Sequence, residues 1–304
     1  MDPALRTDRS RSTVSSVGLV AKTRVQEAAT HLVDIATWLA GRGVRAVFER
    51  DAADMVELPD DAVVADRDVL PTLVDMILVL GGDGTLLGMG DRIAEADVQI
   101  PILGVNFGSL GFLTEITLPE LYPSLESAIA GTATIDERLM LRAGTIRDGH
   151  EIDHQIVLND VVITKGALAR IIALSIWVND DFVTDFRADG LIIASATGST
   201  AYNLAAGGPI MHPAVDAIVL TPIAPHTLTN RPIVIPGGSV VRVQPTIDQD
   251  ADEVYVTFDG QTGSRLQGDD RIVVQRHSQP LRLIRASTRS YFELLHQKLK
   301  WGGR

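Results

Sequence analysis

The chain has 304 residues, 45% of them hydrophobic, no cysteine and a formal charge of −12. The length allows two domains with sizeable cores. The lack of cysteine removes disulfides, thiolate catalysis and cysteine-ligated zinc or iron–sulfur, and no run approaches the roughly 20 apolar residues of a membrane span. The negative charge argues against a nucleic-acid partner, which needs a basic face. It also obliges any anionic substrate to be held by local arginines, lysines and glycine N–H groups.

Met1 to Ser16 is polar, carries Arg6, Arg9 and Arg11, and lacks the apolar stretch of a secretory signal. It reads as a disordered leader. Val17 to Val20 is a first strand. Val25, Ala28, Ala29, Leu32, Ile35, Ala36 and Leu39 then recur at helical spacing, until Gly41 and Gly43 stop the helix. Val44 to Phe48 is a second strand, Leu70 to Leu80 supplies the next, and Pro101 to Asn106 is a further buried strand. A short helix over 119–130, with Leu121, Leu125 and Ile129 in line, closes a first domain spanning 17–137. Strands alternating with helices predict an α/β three-layer domain with a mostly parallel sheet. No G-x-G-x-x-G follows the first strand, so the usual Rossmann mode of dinucleotide binding is not expected.

From Arg138 the texture changes to many short strand-like runs, separated by turn signals at Asp148-Gly149 and Asn179-Asp180-Asp181. These predict an antiparallel, β-rich, sandwich-like domain over 138–284. The last segment, 285–304, contains a helical pattern from Tyr291 to Leu299 with Phe292, Leu295 and Leu299 on one face, and is expected to pack back on the first domain.

The chemistry concentrates in Gly81-Gly82-Asp83-Gly84-Thr85. Before it runs Met76-Ile77-Leu78-Val79-Leu80, a buried parallel strand by composition. After it, Leu86, Leu87, Met89 and Ile93 mark one helix face. Ligands of open α/β sheets bind at this carboxyl edge. The glycines allow close approach and positive φ, and the helix N-terminus suits phosphate, so Gly81, Gly82, Gly84 and Thr85 are candidate phosphate ligands. An anion is out of place among phosphate ligands. Asp83 therefore either orients or deprotonates an attacking hydroxyl, holds Mg²⁺, or caps the helix.

In the second half, Arg187-Ala188-Asp189-Gly190 precedes an apolar strand, Leu191 to Ala194. The hydroxylic run Thr197-Gly198-Ser199-Thr200-Ala201-Tyr202 follows, then Gly207-Gly208-Pro209. Small residues admit a flat ligand, and hydroxyls and amides supply directional hydrogen bonds. Arg187 is a candidate phosphate clamp, and Asp189 can accept from a base. The run also reads as a hydroxyl-rich hairpin loop. Asn159-Asp160 suits a ribose diol, although alone the pair reads more simply as a turn. Arg170 follows the loop 165–169, and Phe258-Asp259-Gly260-Gln261 is a hairpin turn.

Taken in order, G-G-D-G-T at 81–85, N-F-G-S-L-G-F-L at 106–113, N-D at 159–160 and R-A-D-G at 187–190 resemble the bacterial NAD kinase family. So do T-G-S-T-A-Y at 197–202, G-G-P-I at 207–210, and P-H-T-L at 225–228 with Arg231-Pro232. The resemblance spans about Val17 to Trp301. It implies phosphoryl transfer from ATP, or from polyphosphate, to the adenosine 2′-hydroxyl of NAD⁺, giving NADP⁺. Mg²⁺ would accompany the ATP phosphates, with no protein-only metal site. By position, Asp83 is the proton acceptor and also a dinucleotide contact. Further contacts are Gly84, Asn159, Asp160, Arg170, Arg187, Asp189, Thr200, Ala201, Tyr202, Asn203, Leu204, Ala205 and Gln261. A cytoplasmic homodimer or homotetramer, with no nucleic acid or membrane partner, is implied by analogy. Two departures stand out: Ala196 occupies the usual proline position, and Ala205 stands where serine is common. The rival readings are a diacylglycerol- or sphingosine-type lipid kinase and a dinucleotide-sensing module without turnover.

Overall fold

The structure, a computed structural model, describes residues 14–22, 26–108, 110–166, 169–227, 229–247, 253–285 and 289–301. Most of the leader (1–13), Val25 of the first helical pattern, Ser109 and Leu228 lie outside the described residues. The chain divides into two units: Met1–Glu137 with Leu281–Arg304, and Arg138–Pro280.

The first unit opens with β1 (Ser16–Ala21), α1 (Gln26–Ala40), β2 (Arg45–Glu49), α2 (Arg50–Ala53), β3 (Val63–Ala65) and β4 (Met76–Leu80). It continues with α3 (Asp83–Glu95), β5 (Ile102–Asn106), β6 (Ile116–Thr117), α4 (Leu121–Ile129) and β7 (Thr134–Arg138). The strand begins inside the expected leader, because the N–H and Oγ of both Ser15 and Ser16 donate to one oxygen of Asp75. Of the run Leu70 to Leu80, the first three residues form a 3₁₀ turn with Pro71, and the strand starts at Met76.

Strands β3, β2, β1, β4 and β5 lie side by side in that order, all parallel. Both sheet faces are covered, which is why β1 and β4 are continuous apolar runs rather than alternating ones. Val17, Leu19, Met76, Leu78, Leu80, Leu103 and Val105 join the α1 side chains Leu32, Ile35 and Leu39 and the α4 side chains Leu121 and Leu125 in one core. Gly104 turns to the other face, where α3 lies: a Cβ there would stand 2.7 Å from Leu86 Cδ1. The order reverses between β1 and β4, so the loops leaving those two strands define the topological switch point.

The second unit contains β8 (Leu141–Arg147), β9 (His150–Val157), β10 (Asp160–Lys165), β11 (Ile172–Val178), β12 (Asp181–Ala188) and β13 (Gly190–Ser195). After α5 (Tyr202–Ala205) come β14 (Ala217–Ile223), β15 (Ile233–Pro236), β16 (Val241–Thr246), β17 (Val254–Phe258), β18 (Thr262–Arg265) and β19 (Arg271–Arg276). Two antiparallel sheets result, β15-β14-β13-β10-β17-β18 and β12-β11-β16-β19-β8-β9. Their inner faces share one apolar core, as in a sandwich. On β13, Leu191 and Ile193 enter that core, while Ile192 and Ala194 pack outward with Ala196 and Met211. The hairpin turn at Asp148-Gly149 has both residues at positive φ, +50° and +79°, the geometry of a tight two-residue connection.

The chain then returns to the first unit as β20 (Leu281–Arg285) and α6 (Tyr291–Leu299). β20 pairs in parallel with β5 through Leu283 and Ile102, and sits between β5 and β7. Leu281 to Ile284 is thus a strand of the α/β sheet rather than of the β-rich unit. Four apolar-rich residues carry no mark of which sheet they will join. In α6, Ser290 caps the helix in a reciprocal capping box with Glu293. Its buried side chains are Leu294 and Leu295, while Phe292 is 62% exposed.

Candidate functional site

The G-G-D-G-T turn leaves the buried end of β4 and opens α3 directly. Gly82 is the N-cap, in extended backbone, and Asp83 is the first helical residue. Asp83 does not cap its own helix. Its carboxylate reaches across to the loop after β5, where Oδ2 accepts from Phe112 N–H at 2.8 Å. Oδ1 accepts from Leu113 N–H at 3.1 Å, Thr114 N–H at 2.9 Å and Thr114 Oγ1 at 2.9 Å. Asn106 Nδ2 donates to the same Thr114 hydroxyl at 3.0 Å and, through Oδ1, accepts from Gly108 N–H at 2.6 Å. Gly111 closes the loop, donating to Thr114 O at 3.1 Å. A Cβ on Gly111 would stand 2.0 Å from Asp83 Oδ1. Residues 112–114, with Asn106 and Gly111 of the N-F-G-S-L-G-F-L segment, therefore form the cradle that fixes the Asp83 carboxylate. Sequence reading recognised the segment without this role, because loop-to-carboxylate bonds leave no periodic signal.

The expected positive φ is absent from Gly81, Gly82 and Gly84. Gly81 answers to packing, since a Cβ there would meet Thr85 Oγ1 at 2.9 Å. At Gly82 and Gly84 an added Cβ would meet no atom of the described residues within 4 Å. Neither conformation nor neighbours demand glycine at those two positions. The space over them is open to a ligand's close approach.

In the second unit, Asn159 and Asp160 join β9 to β10, and their backbone is held from two sides. The Asp259 carboxylate accepts from the N–H groups of Leu158, Asn159 and Asp160 at 2.8, 2.8 and 2.9 Å. Ser195 donates its N–H to Asn159 O and its Oγ to Leu158 O. Gly198 approaches so closely that a Cβ would lie 2.1 Å from Asn159 O. Burial, helped by the neighbouring Asp259 charge, pushes the Asp160 carboxyl up to about 7. Burial also raises Asp259, against the three amides that stabilise its anion. Asp259 and Gly260, at φ +48° and +64°, form the expected β17–β18 hairpin turn. The inward use of the Asp259 side chain was not legible, because a D-G turn pattern reports backbone conformation only.

The run 197–202 is a 3₁₀ turn followed by α5. Several of its polar groups are occupied within the protein. Ser199 Oγ donates to Ala196 O at 2.7 Å and accepts from Met211 N–H at 2.9 Å. Asn203, fully buried, donates to Ser199 O and Pro209 O and accepts from Thr221 Oγ1 at 2.6 Å. Its side chain clamps the G-G-P loop. Thr200, Ala201 and Leu204 are partly exposed, and Tyr202 and Ala205 are exposed.

Asn159, Asp160, the 197–202 turn and the exposed Gln261 gather at one end of β10. Arg187 and Asp189 do not join them. Lys165 Nζ lies 3.8 Å from Asp189 Oδ1 at the other end of that strand, about 17 Å away at the rise of an extended chain. Arg187 and Arg170 are exposed, and the P-H-T segment meets the R-A-D-G turn where His226 N–H donates to Arg187 O at 2.9 Å.

The ATP-NAD kinase N-terminal domain family matches residues 17–133, and the ATP-NAD kinase C-terminal domain family matches residues 158–286. An NAD kinase of Geotalea daltonii is 47% identical over 271 residues, covering 89% of this chain and 93% of that one. The chain belongs to the NAD kinase family. An NAD kinase of Geobacter sulfurreducens is 48% identical over 281 residues, 92% of this chain and 95% of that one. Among solved structures, yeast NADH kinase complexed with NADH superposes with a TM-score of 0.88 at 23% identity, over 97% of this chain and 89% of its own. An NAD kinase from Archaeoglobus fulgidus in complex with ATP gives 0.72 at 24% identity, over 94% and 98%. At such identities these two establish the shared NAD kinase fold.

Proposed function

We propose that this member of the NAD kinase family performs the family's reaction with Asp83 as proton acceptor. As an NAD kinase it is a phosphotransferase with an alcohol acceptor: the γ-phosphoryl group of ATP goes to the adenosine 2′-hydroxyl of NAD⁺, giving NADP⁺. The observation that supports Asp83 in this role is its asymmetric coordination. Oδ1 accepts three hydrogen bonds and Oδ2 accepts one. Each oxygen of an ionised carboxylate has about two acceptor sites, so Oδ1 is saturated and the capacity that remains is on Oδ2. Oδ2 accepts the proton of the 2′-hydroxyl as its oxygen bonds to the γ-phosphorus and ADP departs. The loose transition state leaves most of the rate to positioning, and the 112–114 amides hold the carboxylate still.

The open backbone at Gly82 and Gly84 supports phosphate binding there, together with Gly81 and Thr85. Asn159, Asp160, Arg170, Arg187, Asp189, Thr200, Ala201, Tyr202, Leu204, Ala205 and Gln261 are proposed as NAD⁺ contacts, with Asn203 acting through the backbone it holds. Among the described residues no group of three or more His, Cys, Asp or Glu gathers as a metal site. A divalent cation carried by the ATP phosphates, whose charge it would neutralise when bound, is proposed from the family alone. A cytoplasmic homodimer or homotetramer is proposed from the family alone. Polyphosphate as donor is a further arm of the same proposal. Release of ADP from ATP, measured with NAD⁺ present and absent, tests the function. NAD⁺-dependent release is expected, and release that depends on diacylglycerol instead overturns it.

A further inference from the structure

The four parallel strands β3, β2, β1 and β4 end at one edge, and each contributes a residue there. β4 leads into G-G-D-G-T. β1 is followed by Lys22, whose Cβ lies 3.3 Å from the place a Cβ on Gly81 would take, and whose side chain is exposed. β2 ends at Glu49, and β3 is followed by Arg67. Glu49 is 1% exposed, and among the described residues neither of its carboxylate oxygens has a hydrogen-bond partner. Burial raises its carboxyl, and Arg67 opposes that shift. Arg67 Nη1 stands 3.5 Å from Glu49 Oε1, while Nη2 donates at 3.4 Å to the carbonyl of Thr85, the last residue of the glycine motif.

A buried carboxylate without hydrogen bonds is costly to keep unless it has a task. Arg67 faces Glu49 through Nη1 and, through Nη2, donates to the Thr85 carbonyl in the first turn of α3. Arg67 is partly exposed, at 36% of its side chain. Its contacts are long for a guanidinium that normally forks a carboxylate at about 2.8 Å, so it is held near the turn without being fully engaged. In a chain of net charge −12, a triphosphate needs local cations.

We propose that Arg67, oriented by the buried Glu49 and flanked by Lys22, binds the phosphates of the phosphoryl donor at the G-G-D-G-T turn. The inference rests on the donor phosphates occupying that turn, and it assigns the turn its specificity for a polyanion. Glu49 is a positioning residue: it acts through Arg67.

The test uses the full chain and two readouts. In steady-state kinetics, Arg67→Lys is expected to raise KM for ATP several-fold. Arg67→Ala in a Glu49→Gln background, which avoids a stranded buried carboxylate, is expected to raise it at least about tenfold, as for loss of a charged hydrogen bond. KM for NAD⁺ stays within about twofold in both. Calorimetric titration with inorganic tripolyphosphate supplies the second readout, and affinity should fall in the same order. Unchanged tripolyphosphate affinity and unchanged KM for ATP in a folded double variant overturn the assignment, and so does a rise confined to KM for NAD⁺. If tripolyphosphate binding weakens as expected but the parent enzyme shows no NAD⁺-dependent ADP release, the phosphate site stands and the kinase reading fails.

Discussion

Oδ1 of Asp83 accepts two hydrogen bonds from one residue, Thr114, whose backbone N–H and Oγ1 both lie 2.9 Å away. The pair ties the first residue of α3 to the loop after β5. A group proposed to move a proton is thus also a structural tie, and the two roles can be separated by substitution.

Asp83→Asn removes the base and turns an NH₂ group or a single amide oxygen toward four donors. The rate is expected to fall at least about a hundredfold, the lower range for loss of a general base. The cradle chemistry adds a stability loss of about 1–3 kcal/mol, because amides of 112–114 lose an ionised acceptor. Turnover within a few-fold of the parent in a purified, folded variant would refute the catalytic role, and an unchanged urea midpoint would refute the structural one.

Gly111→Ala removes no catalytic group but sets a methyl group 2.0 Å from Asp83 Oδ1 and 2.4 Å from Thr114 Oγ1. Overpacking of this kind costs about 1–3 kcal/mol. Displacing the carboxylate is expected to lower kcat by about tenfold to a hundredfold. Ala at the neighbouring Gly108, whose Cβ would meet Asn106 Oδ1 at an ordinary 3.8 Å, is the control and should keep most of the activity.

Ala196 holds φ −58° and ψ −35°, and Ser195 before it is in extended backbone. Both suit a proline at 196. Ala196→Pro is therefore expected to stabilise the fold by about 0.4–1 kcal/mol through the unfolded state, with activity unchanged within twofold. A drop in melting temperature would show that the buried surroundings of Ala196, 1% exposed, do not admit the ring.

Asp160 makes stability depend on pH. Its folded pKa of about 7 lies above the value of 3.8 for an unperturbed side chain, so between those values the native state holds a proton that the unfolded chain has released. Stability contributed by the neutral acid is complete below about pH 4 and is lost as pH rises to about 7, amounting to a few kcal/mol by linkage. Asp160→Asn should flatten that part of the curve and raise stability at pH 8 relative to the parent, while weakening NAD⁺ binding. Urea unfolding at pH 5 and pH 8 decides it: a parent more stable at pH 8, with the variant showing the same slope, would overturn the assignment.

Much of this molecule is readable from local pattern. The apolar runs at Val17 to Val20 and Met76 to Leu80, the helix face begun by Leu86 and Leu87, and the D-G turns at 148–149 and 259–260 all report backbone conformation within a few residues. Motif order across the chain was enough to suggest the family, because each motif is short and contiguous. What needed the fold were relationships between distant segments. These include the 112–114 amides around Asp83, the Asp259 carboxylate under Asn159 and Asp160, the enclosure of Asn203, and Arg67 between Glu49 and Thr85. So too did the transfer of Leu281 to Ile284 to the first sheet. Each depends on which strand ends or strands meet, and nothing local in the chain encodes that. Periodicity specifies which face of a segment is apolar, while the partner of a polar side chain is chosen by topology.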